Sequence, residues 1–150
     1  MAKRALVVGI NDYSAQGIGN LSWCVNDANS MYHLLVNAFG FSANNVHLYT
    51  DSRATRRNIL GTLAHLLEEA EPGDVVCFYY AGHGGIMPAT ANTDNTRFYE
   101  SIIPYLGEWI FDLDLDEILH RSTVDLSQIN FTVILDSCHA GGVHNTDAVE

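Results

Sequence analysis

The stretch Phe-Thr-Val-Ile-Leu-Asp-Ser-Cys-His-Ala-Gly-Gly, residues 131–142, decides how the rest of the chain is interpreted. Its run of β-branched and large apolar residues ends at Asp136 and is too short to cross a membrane, so it predicts a buried strand. Cys138 follows in a loop where two glycines relax the limits on the backbone. A residue just beyond such a strand lies where open α/β sheets bind ligands. A single cysteine is more often an inert buried thiol, so the role of Cys138 depends on its neighbours.

Composition indicates one globular domain. The chain has 150 residues, 47% of them hydrophobic, and a domain of this size buries about two thirds of its unfolded surface. No apolar run reaches the roughly 18 residues of a membrane helix, and the N-terminus lacks the apolar stretch of a signal peptide. We therefore expect a soluble, cytoplasmic protein with no membrane partner.

Charge and cysteine content narrow the class of partner. Eighteen acidic residues against seven Lys and Arg give a formal charge of −11, which disfavours nucleic-acid binding and fits a basic substrate better. The cysteines are scattered and odd in number, at Cys24, Cys77 and Cys138. This pattern favours reduced thiols over a disulfide framework or a zinc site.

Strand-like and helical segments alternate along the chain. Apolar runs predict strands at residues 5–10, 46–50, 74–80 and 131–136. Helical spacing predicts a helix from Ser22 to a left-handed cap at Gly40, one capped by Thr55 and stopped by Pro72-Gly73, and a short one at 114–121. Residues 86–111 are interpreted as a β-excursion. This alternation predicts an α/β fold with a mostly parallel central sheet and helices on both faces.

Two strand ends carry the groups best suited to chemistry. His83 follows the third main strand and Cys138 follows the fourth, so in a parallel sheet both lie at one edge. An imidazole beside a thiol can accept its proton and activate it as a nucleophile. The backbone amides of Gly84 and Cys138 would then form an oxyanion hole. A lone His in a glycine-rich loop is more often a turn residue, but its pairing with a strand-end cysteine favours catalysis.

These motifs resemble a known family. Residues 79–84, Tyr-Tyr-Ala-Gly-His-Gly, and residues 136–142 are similar to the His and Cys motifs of caspase-like cysteine peptidases of clan CD, peptidase family C14, and in particular of metacaspases and bacterial orthocaspases. The Gln-Ala-Cys signature of animal caspases is absent. The resemblance extends from residue 6 through Asp136. It implies a caspase-like three-layer α/β/α sandwich, a thiol protease with His83 and Cys138 as its catalytic dyad, and an oxyanion hole from Gly84 and Cys138.

The resemblance also implies a primary specificity pocket. In metacaspases the positions that match Cys24, Asp27 and Asp136 belong to this pocket. Two carboxylates facing one pocket favour a cation, and a guanidinium can bond to both, so cleavage after Arg, and less well after Lys, is expected. Ala81 stands where a hydroxyl residue is often found, which removes one pocket hydrogen bond. The alternative is that Asp27 only begins a helix and Asp136 only caps a turn.

Calcium activation, known in many metacaspases, has weaker support, and no cofactor is expected to be required. An EF-hand beginning at Asp112 is excluded, because Glu117 and Thr123 occupy positions where that loop needs Gly and Glu. A solvated acidic face is the favoured interpretation, and the histidines other than His83 show no metal-binding spacing. Residues 94–125 hold eight acids: Asp94, Glu100, Glu108, Asp112, Asp114, Asp116, Glu117 and Asp125.

The family fold implies further strands from a smaller C-terminal part. We therefore expect residues 1–150 to be the large-subunit portion of a caspase-like catalytic domain, partnered by a small-subunit segment of the same precursor that is released by autoprocessing. Polypeptides with Arg or Lys at the cleavage site are the expected substrates. Two alternatives stay open: a non-catalytic caspase-like interaction module, and a flavodoxin-like small-molecule binder, although neither G-x-G-x-x-G nor a P-loop occurs.

Overall fold

A computed structural model describes residues 1–88 and 98–137 of the chain. Its strands are β1 (Lys3–Gly9), β2 (Val46–Thr50), β3 (Val75–Ala81), β4 (Gly84–Pro88), β5 (Phe98–Ile102), β6 (Ile110–Phe111) and β7 (Asn130–Asp136). Its α-helices are α1 (Cys24–Asn37), α2 (Arg56–Glu68) and α3 (Asp112–Arg121). The predicted order of strands and helices is confirmed, including the β-excursion, of which residues 89–97 lie outside the described part.

The central sheet has the order β2-β1-β3-β7, and every neighbouring pair is parallel. A second, antiparallel sheet has the order β4-β5-β6. Helix α1 packs on one face of the central sheet, and α2 and α3 lie on the other. The predicted three-layer α/β/α arrangement with a mostly parallel sheet is therefore confirmed.

Alternation along the strands sends side chains to two separate cores. On β1, Leu6 and Val8 join the core beneath α2, whereas Ala5 and Val7 join the core beneath α1. Because both faces are covered, these strands are continuous apolar runs, as is typical of parallel sheets. On β3 the same alternation directs Tyr79 toward the α1 face and Tyr80 toward the α2 face.

The helix ends follow the expected capping chemistry. The Thr55 hydroxyl accepts a 3.2 Å hydrogen bond from the Asn58 amide at the start of α2, as an N-cap residue does. Gly40 has φ +73°, the left-handed conformation predicted for it. Helix α1 ends earlier than its apolar spacing predicted, at Asn37, and Phe39 is exposed. In the described part of the chain, no helix is long and apolar enough to cross a bilayer.

The prediction of a buried fourth strand is wrong for the described residues. Strand β7 forms where predicted, but it is the edge of the central sheet, and Val133, Ile134 and Leu135 are 41%, 38% and 50% exposed. The apolar run correctly indicated a strand. Burial depends on a second neighbour, which residues 1–88 and 98–137 do not supply, and no local pattern reveals whether that neighbour is present.

Candidate active site

Strands β3 and β7 end side by side at one edge of the sheet. Their last paired residues are Ala81 and Asp136, so His83 and Cys138 each stand two residues beyond that pair. Cys138 itself lies outside the described residues, as does its amide, the second predicted oxyanion donor. Its neighbour Ser137 is described, and a Cβ built at Gly84 would lie 3.3 Å from the Ser137 Oγ. The turn after β3 and the end of β7 are therefore in close contact.

The His83 ring is held by a backbone group from another loop. Its Nε2 lies 2.7 Å from the carbonyl oxygen of Gly19, and the residue is buried. A carbonyl can only accept a hydrogen bond, so Nε2 carries the proton. In the neutral ring Nδ1 is then the acceptor. This arrangement leaves Nδ1 able to receive a proton from a nucleophile.

Gly19 belongs to the loop after β1, which several side-chain bonds hold in place. The Asp51 carboxylate accepts from the amides of Asn11 and Asp12 at 2.8 and 2.9 Å. The Asn20 side chain accepts from the Tyr13 amide at 2.8 Å. The sequence analysis did not identify Gly19, because the group that contacts His83 is a backbone carbonyl, which every residue has. The turn-rich residues 11–14 indicated a loop through Asn20 but no function for it.

A carboxylate and a buried phenol meet at the end of β3 and β7. The Tyr79 hydroxyl donates a 3.1 Å hydrogen bond to Oδ2 of Asp136. Burial, followed by this bond and by the charges of Asp136, Asp27 and Cys24, raises the pKa of Tyr79 well above its usual value. Asp136, one of the residues expected from the family pocket, thus bonds to this hydroxyl. Tyr79 is a pocket candidate that the sequence analysis did not single out.

Close packing fixes the start of α1 against the end of β1. A Cβ at Gly9 would overlap the Cys24 carbonyl group and the Ala28 Cβ, so only glycine permits this approach. Asp27 lies in the first turn of α1, where its charge also favours the helix dipole. Ala81 is fully buried, and its carbonyl accepts from the Ile10 amide at 3.0 Å.

The described acids have varied roles. Asp114 forms a salt bridge with Arg56 at 2.8 Å, and Glu117 pairs with Arg121 within α3. Glu100 and Asp112 line a pocket beside Gly84. Among residues 1–88 and 98–137, no group of three or more His, Cys, Asp or Glu side chains could hold a metal ion. Calcium activation therefore stays a prediction, and Asp94, His139 and His144 lie outside the described part.

Comparison with known proteins gives one consistent family. The family description "Metacaspase, peptidase C14 domain" matches residues 3–147. Metacaspase-4 of Arabidopsis thaliana is 37% identical over 149 residues, which is 95% of this chain and 34% of that protein. Metacaspase-1 of Schizosaccharomyces pombe is 31% identical over 150 residues, which is 93% of this chain and 34% of that protein.

A solved structure agrees with the fold. A crystal structure of a Geobacter sulfurreducens protein superposes with a TM-score of 0.78 and 27% sequence identity, over 95% of this chain and 53% of that one. The chain thus spans about a third of the length of the curated relatives.

Proposed function

Because the chain belongs to the metacaspase family of C14 cysteine peptidases, we propose that it is the catalytic part of an endopeptidase that cleaves after Arg, and less well after Lys. His83 and Cys138 are its catalytic dyad. The observation that carries the proposal is the Ala81–Asp136 pairing, because each dyad residue stands two positions beyond it. The contact of the Gly84 position with Ser137 supports the same arrangement.

The reaction uses the free nitrogen of His83. The Gly19 carbonyl retains the proton on Nε2, so Nδ1 accepts the proton of the Cys138 thiol. The thiolate sulfur attacks the carbonyl carbon of the scissile bond, and the amides of Gly84 and Cys138 stabilise the resulting oxyanion. The imidazolium then protonates the leaving amine as the C–N bond breaks. Water hydrolyses the thioester and restores the thiol.

Specificity for Arg follows from the carboxylates. The Tyr79 hydroxyl restrains the Asp136 side chain, and Asp27 lies in the first turn of α1. A planar guanidinium can bond to two carboxylates at once, whereas the Lys ammonium is a compact charge on a flexible stem. A substrate aspartate would add a third negative charge and is rejected.

The open edge of β7 supports a second component of the proposal. Residues 1–150 form the large-subunit portion, and a small-subunit segment of the same precursor supplies the next strand. The added strand would pair with the β7 backbone and help to cover the exposed apolar side chains of Val133, Ile134 and Leu135 on the two faces of the sheet, and unpaired edges otherwise promote aggregation. Release of that segment by autoprocessing after a basic residue follows from the same specificity.

A fluorogenic peptide panel tests the proposal. The chain, alone and combined with the small-subunit segment, is assayed on peptides that differ only in Arg, Lys or Asp before the scissile bond, with and without calcium. We expect the Arg peptide to be cleaved faster than the Lys peptide. Both should be cleaved more than about 100-fold faster than the Asp peptide, because the pocket carboxylates repel its charge. Cys138→Ala and an arginal-type covalent inhibitor should abolish the signal. Full activity of Cys138→Ala would refute the mechanism, and cleavage after Asp would refute the pocket.

A further inference from the structure

Two buried tyrosine hydroxyls hold the backbone of His83 on both sides. The Tyr13 hydroxyl accepts a 2.7 Å hydrogen bond from the His83 amide. The Tyr80 hydroxyl donates a 2.6 Å hydrogen bond to the His83 carbonyl. Both rings are fully buried. The peptide groups before and after the His83 side chain are thus fixed by side chains from two different segments.

The two hydroxyls also contact each other and a third segment. Their oxygens are 3.0 Å apart, and both lie within bonding distance of the Ile103 carbonyl, at 3.2 Å from Tyr13 and 2.9 Å from Tyr80. The Ile103 amide in turn donates to the His83 carbonyl at 3.0 Å. The loop after β1, the end of β3 and the segment after β5 therefore meet at one buried polar point.

The Tyr13 and Tyr80 hydroxyls also leave no room for a side chain at Gly82. A Cβ at Gly82 would overlap both tyrosine hydroxyls, so a side chain there must displace one of them. The Tyr13 ring also meets the His83 ring edge-on, with centroids 4.5 Å apart. The hydroxyl pair therefore determines the path of the Gly82–His83–Gly84 turn as well as the surroundings of the imidazole.

We propose that Tyr13 and Tyr80 are positioning residues for the reaction: their hydroxyls clamp the His83 backbone so that Nδ1 and the Gly84 amide face the end of β7. This inference rests on the proposed peptidase function. Neither tyrosine touches the substrate. They act through His83 and Gly84, and a displacement of about 1 Å in such groups costs on the order of 100-fold in rate.

The proposal requires that the clamp affects turnover more than binding. Tyr13→Phe removes the acceptor of the His83 amide, and Tyr80→Phe leaves the His83 carbonyl with the Ile103 amide as its donor, while both rings keep their packing. We expect each variant to lower kcat by about 10- to 100-fold with KM changed less than about twofold. Gly82→Ala should reproduce the loss, because its methyl group displaces a hydroxyl.

Amide hydrogen exchange reports on the clamp without relying on peptidase activity. Loss of the Tyr13 hydroxyl should increase exchange at the His83 amide by at least about tenfold, and exchange at Val8 in the core should not change. Tyr49→Phe is the matched control, because it removes a hydroxyl that bonds to the Thr62 side chain of α2 at 2.8 Å. It should leave kcat and His83 exchange as in the wild type.

Each outcome decides between explanations. Unchanged kcat and unchanged His83 exchange in both Tyr13→Phe and Tyr80→Phe would overturn the proposal. If kcat falls only in proportion to the folded fraction of the variant, the proposal is also overturned, because the effect is then a general loss of structure. If the wild type cleaves no peptide in the panel, yet Tyr13→Phe selectively frees the His83 amide, the clamp stands and the proposed peptidase function fails.

Discussion

The Tyr79 hydroxyl bonds to the Asp136 carboxylate across β3 and β7, 3.1 Å from Oδ2. The phenol is buried beneath α1, whereas the carboxylate is exposed at the end of the edge strand. A buried donor therefore restrains a carboxylate that solvent and substrate can reach. This is the geometry expected of a binding group, because a fixed charge loses less entropy when it pairs with a cation.

Asp136→Ala should separate arginine recognition from thiol reactivity. Hydrogen bonds to charged groups are worth about 1.5–3 kcal/mol, so we expect kcat/KM for an Arg peptide to fall by about 10- to 100-fold. The rate of iodoacetamide alkylation at Cys138 should change less than about threefold. Glu68→Ala, an exposed acid on α2, is the control. An equal fall in both rates would make Asp136 a third catalytic group instead.

Alkaline pH should destabilise the fold through the tyrosine clamp. Burial is the main cause that raises the pKa of Tyr13 from 10.0 to about 12, and burial is also the main cause that raises the pKa of Tyr80 well above its usual value. The folded state thus retains protons that the unfolded chain loses, so this stability is complete below pH 10 and is lost as pH rises through 12. Each unit of difference between the folded and unfolded pKa corresponds to about 1.4 kcal/mol in the free energy of unfolding. Urea unfolding from pH 8 to 11.5 should show a shallower decline for Tyr13→Phe than for wild type, and identical slopes would contradict this account.

Much of the fold was predictable because its signals are local. The apolar stripe of α2, the cap at Thr55 and the left-handed Gly40 each depend on residues a few positions apart. The order of strands and helices follows from such signals, and it correctly placed the ends of β3 and β7 at one edge. His83 directly follows the end of β3, so its position at this edge was predictable from the sequence.

The support of the site was not predictable, because its contacts join distant positions. Tyr13 and His83 are far apart in the chain, and no spacing rule links a loop tyrosine to a strand-end histidine. The Gly19 carbonyl has no residue-specific signature at all. Burial of β7 was wrongly predicted for a related reason: apolar composition reflects burial in a completed sheet, and β7 has only one neighbour in the described residues.

Gly9→Ala should damage both stability and specificity. The new methyl group would overlap the Cys24 carbonyl group and the Ala28 side chain, which forces α1 away from β1. Overpacking of this kind costs about 1–3 kcal/mol. Because Asp27 moves with the helix, selectivity for Arg over Lys should also fall. Gly61→Ala is the matched control: it lies in α2 with nothing within 4 Å, and it should stabilise the protein by up to about 1 kcal/mol. Equal thermal stability of the two variants would be inconsistent with this packing.

Asp74 should make the fold sensitive to strong acid. Its carboxylate accepts from the amides of Ala2 and Glu71 and from Arg4, at 2.6 to 3.0 Å. The Glu71 and Ala2 amides, followed by Arg4, lower the pKa of Asp74 from 3.8 to about 2. The stabilisation is therefore present above pH 3.8 and is lost as pH falls through 2. Asp74→Ala should cost about 1–3 kcal/mol at pH 7 and much less near pH 2. Asp116→Ala, at the surface of α3, is the control, and a difference that persists undiminished near pH 2 would rule out the charged carboxylate as its source.

The exposed edge of β7 should make the isolated chain associate with itself. A strand with unpaired backbone groups and consecutive apolar side chains is a template for another strand, and a lysine on such an edge opposes pairing. We expect Ile134→Lys to lower the oligomer fraction in sedimentation velocity at a given concentration. Leu34→Lys is the control, because it replaces an exposed apolar side chain on α1 and leaves the sheet edge unchanged. If the two variants reduce association equally, general surface hydrophobicity is responsible, and the edge is not the contact. If only Ile134→Lys does so, a small-subunit segment added in excess should suppress association of the wild type in the same way, because both compete for one strand.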